Sequence, residues 1–366
     1  MNQYRVVLSL LSQKSAQLRG ITDIDLDFIG LISKMSPGSM LVGDVFHPKI
    51  LLQNLVIEYD LAYPISCYVN ALLVVLPFLK IKIVLRGTTN LCSKSLVGEE
   101  TETETDKKCD GRKKEGTKHK EAIDGKQLNR KTCRNSSSVK NVRTTVPEVG
   151  FDEDLAKKCE NFDRSIDSLP IKLDVMKLFG AEIKHKILKR GFNSSRGRLE
   201  LVNEQALERL KSVKQTDTGR KRINTLIVAS HLSDFLPKSI RSQVKENIPD
   251  ARIDIDRNKD SETVGLQVMM YCKYFYYETY EIDHSEKWCE EMMKYIFERI
   301  ISDDVFDGKL TDLIFVCMSL ATGVSQAKIH GFDSIANLVK TFYPVEVLEK
   351  DGVVNVMGVD YCNVWQ

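Results

Sequence analysis

Residues 91–164 cannot build a hydrophobic core, and that constrains the fold more than any other feature of the chain. They include the Thr/Glu alternation from Thr101 to Thr105, the cations Arg112 to Lys114, Lys118 and Lys120, and the polar run Asn135 to Ser138. Apolar residues there are sparse and aperiodic. Such a stretch buries too little surface to offset the entropy of ordering it. Between Thr101 and Thr145 there are 13 Lys/Arg against 7 Asp/Glu, so it is locally basic. The expectation is a disordered basic insertion within a fold made by residues 1–90 and 165–366. Either it touches RNA or carries a nuclear address, or it is a tolerated surface insertion with no role.

The rest of the 366-residue chain is rich enough for a sizeable core, with 42% of all residues hydrophobic. That length fits two domains, or one domain with an inserted piece. The formal net charge is only +2, so nucleic-acid binding has to come from local patches. Nine cysteines lie scattered without CxxC or Cys/His spacing, which fits free thiols in a reducing compartment and no metal site. The longest apolar run, Ala71 to Leu79, contains Pro77 and falls far short of the ~20 residues of a membrane helix. With no signal-peptide layout at its start, the chain reads as soluble and intracellular, with no membrane partner.

Hydrophobic periodicity organises the flanks. Ile24 to Met35 carries a helical stripe closed by Ser36 to Ser39. Ile50 to Tyr59 and Lys80 to Leu85 read as strands. Ile166 to Phe179 reads as a helix capped by Gly180, and 181–188 as a strand with Ala181, Ile183, His185 and Ile187 on one face. His185 on that face reads as a packed core residue. Further on come a helix within 230–246, a strand from Ala251 to Asp256, and a Tyr- and Met-rich strand pair within 263–277. Asp283 and Glu286 read as a capping box opening a helix with Trp288, Met292, Ile296 and Ile300 on one stripe. Asp312 to Leu320 reads as a buried strand, Ile335 to Phe342 as a helix, and Val345 to Leu348 and Val353 to Val359 as strands. A short pattern recurs at Leu31 to Met35, Val175 to Phe179 and Leu338 to Phe342, each a helix end leading to a tight turn. The fold class is therefore α+β, built of repeated helix–strand modules.

The segment Lys189 to Arg198 is the strongest functional signal. It holds Lys189, Arg190, Arg196 and Arg198 with two glycines and two serines, and no carboxylate, Cys or His. Cations that fork onto phosphate oxygens, beside small residues that expose backbone N–H groups, make a phosphate-contacting loop. The bland alternative is a solvated turn between strands. The aromatic run from Tyr271 to Tyr280 carries only Lys273 as a cation, and reads as packing rather than base stacking.

Several segments together resemble one family. Lys189-Arg190-Gly191, followed by Gly197 and Glu200, is similar to the "KRG…GGGE" segment of the RNA 3′-terminal phosphate cyclase family. Tyr4 to Leu11, Tyr63 to Phe78, Lys82 to Thr89, Val175 to Gly191 and Ile253 to Gly265 resemble other segments of its ribosome-biogenesis branch, in the same order. The match is discontinuous over most of 4–90 and 165–358, and two glycines of the triplet are replaced by Arg196 and Arg198. The resemblance implies about three similar modules with a smaller α/β subdomain inserted late in the chain. Residues 1–90 would hold the first module or modules, 165–222 the second with the basic loop 189–198, and 223–366 the remaining one with the inserted subdomain, the insertion 91–164 lying between.

The resemblance also implies a role. Active relatives use a Gly-rich "GEGGGQ" segment and a nucleophilic histidine. Met1 to Arg5 offers no such segment. The histidine position falls near Gly331, with His330 one residue away in a different local context. The chain is thus identified as a pseudo-enzyme, without cofactor or catalytic residue. It is expected in the nucleolus, acting in small-subunit pre-rRNA processing. Its expected partners are pre-rRNA and a large nucleolar GTPase, with Lys189, Arg190, Arg196, Arg198 and Lys328 as phosphate or partner contacts. The alternative is an active RNA 3′-phosphate cyclase or a pre-rRNA endonuclease, for which His231 with Asp234 is one conceivable acid–base pair.

Overall fold

The structure is a computed structural model. It describes residues 1–91 and 162–365, except 194, 195, 218, 220, 221, 259, 280, 281, 283–286 and 303. The basic insertion beyond Leu91 and the capping pair Asp283 and Glu286 lie outside the described residues.

Three sheets share one connection order. In the first segment α1 (Asn2–Ser12), β1 (Ala16–Gln17), α2 (Asp23–Met35), β2 (Met40–Val42) and β3 (Val45–His47) make an antiparallel sheet ordered β1-β3-β2. The second comprises β4 (Leu55–Asp60), α3 (Ser66–Val75), β5 (Ile81–Gly87), α4 (Leu169–Leu178), β6 (Lys184–Lys189) and β7 (Gly197–Asn203). Its order is β4-β5-β7-β6, with β4 and β5 parallel and the other pairs antiparallel. A parallel pair needs a crossover, which α3 supplies, whereas the antiparallel pair β6–β7 closes through a loop.

The third sheet begins at β8 (Lys214–Gln215) and is interrupted at once by a subdomain. This consists of β9 (Asn224–Ser230), α5 (Phe235–Asn247), β10 (Arg252–Arg257), β11 (Gly265–Cys272), β12 (Phe275–Thr279) and α6 (Lys287–Ile301). Its sheet runs β10-β9-β11-β12, with β9 and β10 parallel. The module then resumes with α7 (Thr311–Leu320), β13 (Val324–Ala327), α8 (Asp333–Lys340), β14 (Glu346–Lys350) and β15 (Val353–Met357). The order β8-β13-β15-β14 repeats that of the second sheet, including the parallel first pair. The first segment has counterparts of all but the leading strand. The three copies of the short sequence pattern fall at α2, α4 and α8, the helix before the hairpin in each module. Gly180, just past α4, has φ 88°, the left-handed conformation that ends a helix cheaply in glycine.

The modules share one core, whereas the subdomain has its own, built from Ile227, Ile240, Val244, Leu266, Val268, Phe275, Trp288, Met292 and Ile296. Tyr274, Phe275 and Tyr276 are buried, so this part of the aromatic run packs rather than presents rings.

Three expectations are corrected. Asp312 to Leu320 is a helix. α7 is buried on nearly every side and packs against α3 and α8, so its apolar run has no polar stripe to reveal a helical period. The strand expected over Ile50 to Tyr59 starts only at Leu55, and Ile50 and Leu52 lie exposed before it. His185 is not core. It faces the same side as buried Leu201, but on the outermost strand β6, where the cover gives out and it is exposed. No helix among the described residues is long and apolar enough to cross a membrane.

The turn Leu76–Leu79 after α3 shows how a buried break in structure is kept satisfied. Asn203 Nδ2 donates to the carbonyls of Leu76 and Leu79, both at 2.8 Å. Asn363 Nδ2 donates to that of Phe78 at 2.7 Å, and Leu207 N to that of Pro77 at 2.7 Å. Removing one donor strands buried acceptors. Asn203→Ala is expected to lower stability by about 1–3 kcal/mol in urea unfolding. A loss below about 0.5 kcal/mol, the scatter of ordinary surface changes, contradicts this role.

Candidate nucleic-acid interface

Strand register turns scattered cations into a surface. Alternate residues of β4, β5, β7 and β6 face away from the helices, because successive side chains in a strand point to opposite sides. Pairing places them in three rows across the sheet. One is Val56, Lys82, Val202 and Lys184; the next is Glu58, Val84, Glu200 and Lys186; the last is Asp60, Arg86, Arg198 and Lys189, the register shift after Ile187 bringing Lys189 opposite Arg198. The face thus holds six cations against Glu58, Asp60 and Glu200. The carboxylates cluster toward β4: Arg86 pairs with Glu58 and lies 3.6 Å from Asp60, and Lys82 lies 2.5 Å from Glu200. Arg198 is exposed, sits directly beside Arg86 and Lys189 in the register, and has no ion pair among the described residues. Neither of the other module sheets is like this. The corresponding face of the third carries Lys214, Lys350 and Glu346 among exposed Val324, Met357 and Leu348, and the first carries Met40 and Val42.

Residues 190–192, which follow β6, are docked rather than solvated. Phe192 is 1% exposed and packs with Val228 of the subdomain. It lies over Gly265, where an added Cβ would sit 2.1 Å from the Phe192 ring. Thr263 Oγ1 donates to the Phe192 carbonyl at 2.8 Å. The loop therefore ties the second module to the inserted subdomain.

Arg190 is the pin of this junction. Its side chain is 4% exposed. Nη2 lies 2.8 Å from Asp167 and 2.9 Å from Asp256, and Nη1 donates to Asn90 Oδ1 at 3.3 Å. Burial opposes the charge, but Asp167 and then Asp256 outweigh it and push the already high pKa up. Arg190 thus holds β10 of the subdomain to residues 90 and 167 of the second module, and its guanidinium is not displayed beside Arg198. The remaining expected cations are distributed differently. Lys189 and Arg196 both pair with Glu262 of the subdomain. Lys328 follows β13 and belongs to the third module's sheet, not to the cationic one. Arg86, which the sequence pattern does not single out, joins the face through its register opposite Arg198. Only the pairing of β5 with β7 reveals it.

A buried polar seam continues from Arg190. Asp163 accepts from Lys172 Nζ at 2.5 Å, from Tyr276 Oη at 2.9 Å and from Ser168 Oγ at 3.2 Å. Burial raises the Asp163 pKa, but the Lys172 ammonium, helped by Lys309, holds it below the usual carboxylate range. Glu278 is the reverse case. It accepts from Ser165 Oγ at 2.9 Å, while its Oε2 is buried without a hydrogen-bond partner among the described residues. Burial, reinforced by the charge of Asp163, pushes its carboxyl up to about 8. One charged and one largely neutral carboxyl share the seam, and both join the second module to β12.

The histidines considered as acid–base groups are engaged elsewhere. His231 Nε2 contacts the Ser261 carbonyl, and Asp234 pairs with Arg257, so the two do not form a dyad. His330 lies 2.6 Å from Asp304 and is 63% exposed, outside any enclosed pocket that would hold an imidazole still. No group of three or more His, Cys, Asp or Glu that could hold a metal occurs among the described residues. Compared with models of known protein families and with curated protein sequences, the chain matches none.

Two outcomes are expected from the seam. Lys172→Met leaves buried Asp163 without its close cation, Lys309 being 4.0 Å away, with a stability loss of about 3 kcal/mol in urea unfolding. Adding Asp163→Asn should restore much of it, and a double variant no better than the single one contradicts the pairing. For Glu278 the folded pKa lies above the unfolded one. As pH rises from the ordinary glutamate value toward about 8, the unfolded chain loses its proton while the folded chain keeps it, so stability falls across that window and levels off above it. Glu278→Gln should flatten this part of the Tm-against-pH curve. An unchanged slope shows that Glu278 does not carry it.

Proposed function

We propose that this chain is a non-catalytic RNA-binding protein of ribosome assembly. It acts in small-subunit pre-rRNA processing in the nucleolus and holds pre-rRNA alongside a large nucleolar GTPase. The observation that carries the reading is the open face of the second sheet. Arg86, Arg198 and Lys189 stand in one row there, and Arg196, just before β7, shares the partner Glu262 with Lys189. A row of cations across a sheet suits the phosphate backbone of RNA, and the face presents no described acid–base pair aimed at a bound chain.

The architecture supports the family reading too. Three modules of one connection order, the last interrupted by a smaller α/β subdomain, is the arrangement that a resemblance to the RNA 3′-terminal phosphate cyclase family implies. The GTPase and the nucleolar location follow from that resemblance alone. The basic face bears only on the RNA.

The test is fluorescence anisotropy with a single-stranded RNA at several salt concentrations. Replacing Arg86, Lys189, Arg196 and Arg198 together by Ala should weaken binding by about tenfold or more at low salt. It should also reduce the log–log salt slope by about 0.7 for every phosphate that the variant no longer neutralises. Affinity and slope equal to those of the unaltered chain overturn the assignment of this face. Formation of an adenylylated protein or a cyclised RNA end with ATP and a 3′-phosphate RNA would instead establish the enzymatic alternative.

A further inference from the structure

Two cations of the basic loop converge on one carboxylate that belongs to a different part of the fold. Lys189, at the end of β6, and Arg196, just before β7, both pair with Glu262 in the turn between β10 and β11. The side chains are 27% (Lys189), 68% (Arg196) and 41% (Glu262) exposed. Ion pairs that open to water contribute little, because solvent already satisfies both partners. They are therefore weak competitors for any stronger anion.

The backbone around this pairing is fixed independently of it. Asn258 Oδ1 accepts from the N–H groups of Asp260 and Ser261 at 2.9 and 3.0 Å, which shapes the turn. Ser261 is 3% exposed, and Thr263 is bonded to the Phe192 carbonyl. Arg190 and Phe192 hold the other side of the junction. Glu262 can thus swing out by side-chain rotation alone, leaving Lys189 and Arg196 where they are. The two cations themselves hold the Glu262 carboxyl below its usual range, so it is an anion at neutral pH.

We propose that Lys189 and Arg196 form a phosphate site in which the Glu262 carboxylate is an internal stand-in, displaced when a phosphate of single-stranded RNA arrives. This rests on the reading of the sheet as an RNA-binding face and adds a regulatory residue to it. An RNA phosphodiester brings one charge and two non-bridging oxygens, as a carboxylate does, and a forked guanidinium with an ammonium suits it. The advantage over Glu262 comes from the neighbouring phosphates of the same chain. The register carries the site on to Arg198 and Arg86, so a chain entering here continues along the row. Glu262 then sets a threshold. A lone monovalent anion gains little by displacing it, whereas a polyanion that also contacts Arg198 gains enough.

The experiment compares Glu262→Gln with the unaltered chain in anisotropy titrations of a fluorescein-labelled oligouridine. Asp260→Asn serves as a control for net charge, since Asp260 is an exposed carboxylate two residues away with no ion pair among the described residues. Glu262→Gln should bind about two- to fivefold more tightly, the factor expected from losing a competing exposed ion pair. Its salt slope should be steeper, because Lys189 and Arg196 then neutralise phosphates without first giving up Glu262, and each phosphate neutralised releases counterions from the RNA. Adding Lys189→Ala and Arg196→Ala should abolish the gain. Equal gains from Glu262→Gln and Asp260→Asn, or none from Glu262→Gln while the unaltered chain binds in a salt-dependent way, overturn the stand-in and leave the RNA-binding face intact. Absence of salt-dependent binding by both proteins overturns the RNA reading and this inference with it.

Discussion

The Arg190 guanidinium, shut off from solvent between Asp167 and Asp256, is the contact on which the rest of the arrangement depends. It is one end of a polar seam that runs through Asn90 and Ser165 to Glu278, and beside it to Asp163, Lys172 and Tyr276. Buried charges of this kind contribute little net stability against well-packed apolar substitutes, yet removing one partner is costly. Their effect is to fix geometry. Here they fix where Leu91 leaves the second module and where Arg164 returns, held by the bond from Leu91 N to the Arg164 carbonyl at 2.9 Å. They also fix how the inserted subdomain leans on the second module through β10, β11 and β12.

That docking divides the basic loop into two kinds of cation. Arg190 looks like a phosphate ligand in sequence but is enclosed by carboxylates. Arg198 and Arg196 lie on the solvent side, where ion pairs are cheap to break. Because strand pairing holds the backbone of β7, Arg198 keeps a defined place beside Arg86 and Lys189. Electrostatic binding to a flexible polyanion draws on this combination: rigid placement from buried contacts, and easily exchanged surface pairs that a phosphate replaces.

The sequence makes some of this legible and hides the rest for identifiable reasons. The foldable flanks are visible because their apolar residues recur at helical and strand periods, while residues 92–161 lie outside the described residues. The repeat is visible because α2, α4 and α8 each end in an apolar cluster before a turn, and Gly180 marks one end by its left-handed backbone. α7 reads as a strand because burial on nearly every side erases the 3.6-residue period. Arg190 reads as one more exposed cation because its carboxylates lie 23 and 66 residues away in the chain. Glu262 is 73 residues from Lys189, and Arg86 joins the face only through strand pairing. Each of these depends on long-range register, which local pattern does not encode.

Ultraviolet cross-linking in cells, followed by mass spectrometry of the RNA-bound peptides, tests the central claim most directly. The account predicts pre-rRNA adducts on peptides spanning 81–87 and 184–203, the strands that carry the cationic rows. Adducts confined to the third module's sheet, or no enrichment of pre-rRNA over other RNA, would contradict it.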